Sequence, residues 1–253
     1  MLNPRVALAS LSGRSDAAWA RAAAPYVGAA FLGGIALDEP TRQAARSMQE
    51  RDREEFLPAD QFAFIDDQLG ALSDVSLTPG FNVRAVEPAA IRRAAAVCAN
   101  RDAILEVNAH CRQAEMCAAG AGQILMSEPA RLRQQVKTAA SAGATVSVKL
   151  RTEVSGVDLP DLGQDLESAG ANILHIDAMD SEPVVGLVAA ATDCFVIANN
   201  GVRDRETVAE YLDHGADAVS VGRPSDDPTV LKRVRRAVGS WFESSRPAPE
   251  AEQ

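Results

Sequence analysis

The sequence predicts an α/β protein built as a single (β/α)8 TIM barrel of parallel strands, and three observations predict it. Short apolar runs alternate with Ala-rich amphipathic stretches along the whole chain, which is the pattern of βα units stacked into a parallel sheet. Hydrophobic residues make up 47% of the chain but aromatics only 4%, so the core is assembled from Ala, Val, Leu and Ile, as short strands under Ala-rich helices require. The turn after the first apolar run, "ASLSGRSD", offers only Gly13 where a doubly wound dinucleotide fold needs a G-x-G-x-x-G turn. The length of 253 residues is that of one such barrel.

Eight strands follow in order. "VALAS" (6–10) opens the chain, "AAFLGGI" (29–35) is the second and "SLTPGFNV" (76–83), interrupted by Pro79 and Gly80, the third. "AILEVN" (103–108), "ATVSVKL" (144–150), "NILHID" (172–177), "CFVIAN" (194–199) and "DAVSVG" (217–222) complete the set. Helices are expected over Asp16 to Ala24, Glu39 to Glu50, Pro88 to Ala99, Pro129 to Ala142, Asp161 to Ala169, Val184 to Ala191, Arg205 to His214 and Pro228 to Phe242. The barrel thus spans residues 1–242. The stretch 50–72 fits neither a strand nor a simple barrel helix and is expected to be an insertion over one rim, and the polar, Pro-rich tail 243–253 is expected to be disordered.

The formal charge of −10 argues against a surface evolved to grip bare nucleic acid, although salt weakens that inference. Only three of the 25 basic residues are lysines, at 137, 149 and 232. An acidic, Lys-poor surface fits a halophile-like, high-salt cytosol, though a GC-rich genome would also favour Arg over Lys. Four cysteines at 98, 111, 117 and 194 lack the spacing of a disulfide framework or a zinc site, so no metal is expected. With no leader and no apolar run long enough to cross a bilayer, the expectation is a reduced, cytoplasmic protein without a membrane partner.

In a barrel of this kind the strand C-termini and the loops after them form the active face. Asn82, Asn108, Lys149, Arg151, His175, Asp177, Asn199 and Asn200 lie there. Lys149 stands out, because a residue type used three times sits inside the alternating strand "TVSVKLR". It reads either as a lysine snorkelling to solvent or as a fixed positive charge facing an anionic ligand. Cys111, in the donor-rich loop "NAHCRQ", reads either as a buried inert thiol or as one made reactive by His110 and Arg112. Asn199, Asn200 and Gly201 after the seventh strand, with Gly222 and Arg223 after the eighth, occupy the two loops where barrels commonly hold phosphate. His175 closes the sixth strand and is placed to bond phosphate or substrate, or to be a satisfied structural group. His214 precedes Gly215 at a helix C-terminus and receives no catalytic role.

Taken together, "EVNAHC", "GAGQILMSEP", "VKLR", "ANNG" and "VGR" resemble the flavin-dependent tRNA-dihydrouridine synthases, most closely a divergent archaeal branch. They resemble more distantly the dihydroorotate and dihydropyrimidine dehydrogenases. The likeness spans about residues 6 to 238. It implies FMN as cofactor and a pyrimidine substrate, with uridine in tRNA first. It also implies NAD(P)H as an electron donor, although the chain carries no nicotinamide fingerprint. The backbone of Ala9 and Ser10 would lie against the flavin, Asn82 would face its pyrimidine edge, and Lys149 would stand near N1 and O2, where its charge favours the reduced ring. His175, Asn199, Asn200, Gly201, Gly222 and Arg223 would surround the phosphate. Asn108 would line the substrate pocket, and Cys111 would give a proton to the pyrimidine carbon opposite the hydride.

Departures from the family fall on the substrate side. The family's Gly-Cys-Pro is His110-Cys111-Arg112 here, and the Gly-Arg after the sixth-strand histidine is Ile176-Asp177. His110, Arg112 and Arg151 are therefore expected to meet the substrate. The segment after the eighth helix is too short for the helical domain by which most of these synthases grip tRNA. Reduction of a free small pyrimidine, as in the dehydrogenases, and a flavin-free phosphate-binding barrel enzyme are the alternatives.

Overall fold

Side chains alternate between the two faces of a strand, so the parity of each strand residue decides whether it fills a barrel or faces the surrounding helices. The computed structural model describes residues 2–244, and its eight parallel strands pair in chain order with the first closing on the eighth. They are β1 Val6–Leu8, β2 Ala29–Ala36, β3 Thr78–Arg84, β4 Ile104–Asn108, β5 Thr145–Arg151, β6 Ile173–Asp177, β7 Phe195–Asn199 and β8 Ala218–Val221. The closed ring excludes the open doubly wound sheet.

The helices are α1 Ala17–Ala23, α2 Glu39–Gln49, α3 Gln61–Gly70, α4 Pro88–Asn100, α5 Ala114–Ala118, α6 Pro129–Ser141, α7 Leu159–Ser168, α8 Pro183–Ala191, α9 Arg205–Asp213 and α10 Pro228–Ser244. Local chemistry sets their starts. Asp16, Asp38, Asp60, Asp158 and Asp204 each accept a first-turn backbone N–H, and proline enters the first turn of α2, α4, α6, α7 and α8. Their buried Ala, Leu and Val faces pack with the outward residues of the strands into the main core.

One expectation changes. The stretch 50–72 is not wholly a rim insertion, because α3 lies within it, buries Phe62, Ile65 and Leu69, and packs against β3 and α4 as a ring helix. The neighbouring acidic residues and the extra Phe64 on the same turn hid its helical spacing. The rim element is instead α2, whose Ala44 and Met48 pack with Met116 and Ala121 beside Cys111 in the loop region after β4. At the other end α10 continues through Ser244, two residues past the expected limit, and the rest of the tail, 245–253, lies outside the described residues.

Candidate active site at the barrel mouth

Read along the inward parity, the strands grade from apolar to polar. Ala7, Ala29, Phe31, Ile104, Ile173, Ile197 and Ala218 form a small apolar cluster inside the barrel. Two residues further along the strands come Asn82, Glu106, Ser147, His175, Asn199 and Ser220; β4 and β6 end on Asn108 and Asp177, and β5 carries Lys149 and ends on Arg151. Register keeps these in rows: Asn82 pairs with Glu106 and Glu106 with Ser147, while Asn108 pairs with Lys149 and Lys149 with His175.

The lower polar row is a closed network. The Glu106 carboxylate has no solvent exposure and accepts from Asn82 Nδ2 at 2.7 Å, Ser147 Oγ at 3.2 Å and His175 Nδ1 at 2.7 Å. His175 Nε2 meets Ser220 Oγ at 2.7 Å, and Ser220 Oγ lies 2.9 Å from Asn199 Oδ1. Burial pushes the Glu106 carboxyl up, but His175, Lys149 and Asn82 outweigh it and hold it below the ordinary range. Burial pushes the His175 imidazole down and leaves it neutral beside an ionised Glu106.

Linkage gives this network a pH signature. Folded His175 binds a proton less readily than its ordinary value of 6.5 implies, so stability falls as the pH drops below that value and the unfolded histidine charges first. Folded Glu106 is likewise harder to protonate than its ordinary 4.5, so a second loss follows below that value. Urea midpoints measured from pH 7 to 4 are expected to fall in both windows. Glu106→Gln should flatten the lower one, and a profile unchanged by that substitution would contradict the assignment.

Above the network lies a cavity of about 730 Å³, within the range of small-molecule sites. Ala9, Ser10 and Leu11 line one side, His110, Lys149 and Asp177 another, and the loops 199–203 and 222–224 the third. Lys149 is only 4% exposed and makes no hydrogen bond or ion pair with the described residues. Burial pulls its ammonium below the ordinary lysine value, against the opposing field of Glu106 and Asp177. A buried cation opening on a cavity without a partner is a site for an anionic or electron-rich ligand group.

The loops across from it suit a phosphate. Asn200, a non-glycine residue, is held at φ 113° with its Nδ2 donating to Met179 O at 2.7 Å, and Gly201 follows at φ 64°. Backbone in that region is strained for side chains and clusters at ligand sites. A Cβ on Gly222 would meet nothing nearer than Asn199 Oδ1 at 4.0 Å, so the chain there is open to close approach, and Arg203 and Arg223 also line the cavity.

The loop carrying Cys111 is set by Asn108, whose Oδ1 accepts from the N–H groups of His110 at 3.1 Å and Cys111 at 2.9 Å, while its Nδ2 donates to Asn82 Oδ1 at 2.9 Å. Gly122, at φ 71°, packs under this loop, where a Cβ would lie 2.3 Å from the Cys111 carbonyl oxygen. Cys111 is half-buried, and its sulfur is among the groups that act electrostatically on the Arg84 guanidinium. Arg84 in turn forms a fully buried ion pair with Glu55 and donates to Gly34 O at 2.6 Å.

Of the residues expected to surround a cofactor, Ala9, Ser10, Lys149, Asn199, Asn200, Gly201, Gly222 and Arg223 come together on one cavity. Asn82 and His175 do not reach it: both are fully buried, and both ends of the amide and both ring nitrogens are spent inside the barrel. His110 lines this same cavity. Arg151 faces a neighbouring cavity and bonds Gln123 Oε1 at 3.3 Å, and Arg112 is exposed on the loop. Sequence reasoning missed Glu106, Arg84, Glu55 and Arg203. Glu106 was readable, since it shares the parity of Asn108 on an otherwise apolar strand; Glu55 lies in an irregular segment whose partner no spacing announces.

Comparison with known proteins follows this geometry. Residues 80–253 match the family model described as dihydrouridine synthase (Dus). The chain belongs to the dihydrouridine synthase family. Membership supports an FMN-dependent oxidoreductase of this type. An uncharacterized protein of Methanocaldococcus jannaschii is 27% identical over 242 residues, 91% of this chain and 91% of its own. Among solved structures, morphinone reductase in complex with tetrahydroNAD superposes with a TM-score of 0.66 at 14% identity, covering 94% of this chain and 88% of that one. FabK of Thermotoga maritima gives 0.57 at 14% identity over 87% of this chain, which spans 58% of FabK. These two likenesses show the barrel fold. No helix among the described residues is long and apolar enough to cross a membrane.

Proposed function

We propose that this dihydrouridine synthase family member binds FMN in the mouth cavity and reduces the C=C bond of a uracil ring, with uridine in tRNA as the first substrate. The observation that carries the reading is Lys149, a buried ammonium with no partner among the described residues, facing a cavity whose opposite wall is made of strained, glycine-opened loops. FMN, when bound, supplies a two-electron carrier able to pass hydride to an electron-poor carbon. The chain's own residues do the rest. Asn200, Gly201, Gly222 and Arg223 hold the phosphate, Ala9 and Ser10 offer backbone to the ring, and Lys149 offsets negative charge that builds during reduction. Asn108 fixes the loop from which Cys111 delivers a proton to the substrate carbon, and His110 and Arg112 flank that cysteine. NAD(P)H is the proposed electron donor and the cytoplasm the proposed location.

The acidic chain, at −10, favours a second reading in which the substrate is a free pyrimidine. The test incubates FMN-loaded protein and NADPH with an unmodified tRNA transcript, and in parallel with uracil and orotate. A gain of two hydrogens in the transcript's nucleosides by mass spectrometry supports the tRNA reading, a gain only in the free bases supports the second, and no product with either contradicts both.

Cys111→Ala is expected to leave reduction of the flavin by its donor intact while slowing reoxidation by substrate by roughly 10² to 10⁴, the usual worth of a positioned general acid. Stopped-flow traces of the two half-reactions check this, and equal reoxidation rates would remove Cys111 from that role.

A further inference from the structure

We infer that His110, held by Asp177, is the group that takes up a proton when the cavity gains negative charge, so that proton binding at His110 is coupled to reduction of the cofactor. The inference rests on FMN occupying the mouth cavity, as proposed above. His110 and Asp177 stand where the family pattern has Gly and Arg, and the structure joins them: Nε2 of His110 meets Asp177 Oδ2 at 2.5 Å, and both side chains line the cavity with Lys149.

The chain has three histidines, and their surroundings separate them. His175 is sealed with both nitrogens bonded, and His214 caps α9. Only His110 faces the cavity. Its Nε2 carries the hydrogen given to Asp177, so the lone pair is on Nδ1, which makes no hydrogen bond with the described residues. An oriented imidazole with its second nitrogen open is the arrangement by which a carboxylate prepares a histidine to accept a proton and stabilises the cation that results.

The charges around it decide when that happens. Asp177 on β6 favours the imidazolium, while Lys149 and Arg151 on β5 disfavour it, with Arg203 and Arg223 adding positive charge across the cavity. Burial, with the β5 cations, keeps His110 below the ordinary histidine value and neutral, and burial of Asp177 is outweighed by His110, the Met179 N–H and Lys149, which leaves it ionised. When two electrons and one proton arrive as hydride from a nicotinamide donor, one negative charge is added to the cavity. His110 Nδ1 then draws one proton from water, which balances that charge. On return of the hydride to substrate the added charge leaves, and His110 releases the proton to water or, through the adjoining loop, to the acid that serves the substrate.

The coupling is measurable without substrate, as the midpoint potential of protein-bound FMN against pH between about 5.5 and 8.5. Each additional proton taken up in a two-electron couple adds about 30 mV per pH unit. Wild-type protein is expected to show about 60 mV per pH unit over the window between the two ionisations of His110, and His110→Gln about 30 mV throughout. Asp177→Asn, which weakens the imidazolium without deleting the ring, should shift that window to lower pH. Histidine C–H resonances, three in number, give a second readout: His110 should titrate at higher pH in the reduced than in the oxidised holoprotein. Equal slopes in wild type and His110→Gln, or a His110 titration unmoved by reduction, would overturn the inference while leaving FMN binding standing. A chain that retains no FMN would instead overturn the function it rests on.

Discussion

Lys149→Met is expected to lower the rate of substrate reduction by about 10² to 10³, the scale of about 3 to 4 kcal/mol seen when one preorganised charge or donor is removed from a developing anion. The methionine keeps the length and apolar stem of lysine, so what is lost is the ammonium alone. The same variant should bind FMN at least tenfold more weakly, because a phosphorylated, electron-rich ligand loses a buried cation of the cavity wall that has no partner among the described residues. Far-UV circular dichroism should be unchanged, since no described residue depends on Lys149 for a hydrogen bond. Near-wild-type turnover with bound FMN would show that the lysine only snorkels from the strand end, the other reading its sequence allows.

The second large effect is on stability. The Arg84 and Glu55 side chains are 1% and 0% exposed, and Arg84 Nη1 donates to Glu55 Oε1 at 3.3 Å within the pair. Removing one partner strands a charge in the interior, at a cost of about 3 to 5 kcal/mol, whereas replacing both with apolar residues of similar volume is often close to neutral. Glu55→Leu alone is therefore expected to lower Tm by about 6 to 20 °C, given about 2 to 4 °C per kcal/mol for a chain of this size. The double variant Glu55→Leu with Arg84→Met should recover most of that loss. Equal Tm values for the single and double variants would contradict it.

How much of this was readable in the sequence follows from the range of the forces involved. Strand and helix placement was legible because it rests on local signals: a run such as "ILEVN" or "NILHID", then an Asp cap or a first-turn proline. The two loops that line the cavity were legible for the same reason, since Asn200-Gly201 and Gly222-Arg223 follow directly on strands. The helix α3 was not, because its Phe62, Ile65 and Leu69 spacing sits in a segment crowded with charge. The burial of Asn82 and His175 was not legible, because the sequence gives strand and parity but not height in the barrel. Each ends up one inward step below the cavity, bound to Glu106. The Arg84–Glu55 pair joins residues 29 apart through an irregular connection, and only the folded chain reveals it.

Whether the mouth cavity facing Lys149 holds FMN is decided by mixing the purified chain with FMN, passing it over a desalting column and recording the visible spectrum, beside Lys149→Met and a Gly222→Val variant. Stoichiometric flavin absorbance retained by the wild type and lost or sharply reduced in both variants is the predicted result. A wild type that emerges colourless, or variants that retain flavin as well as the wild type does, would contradict it.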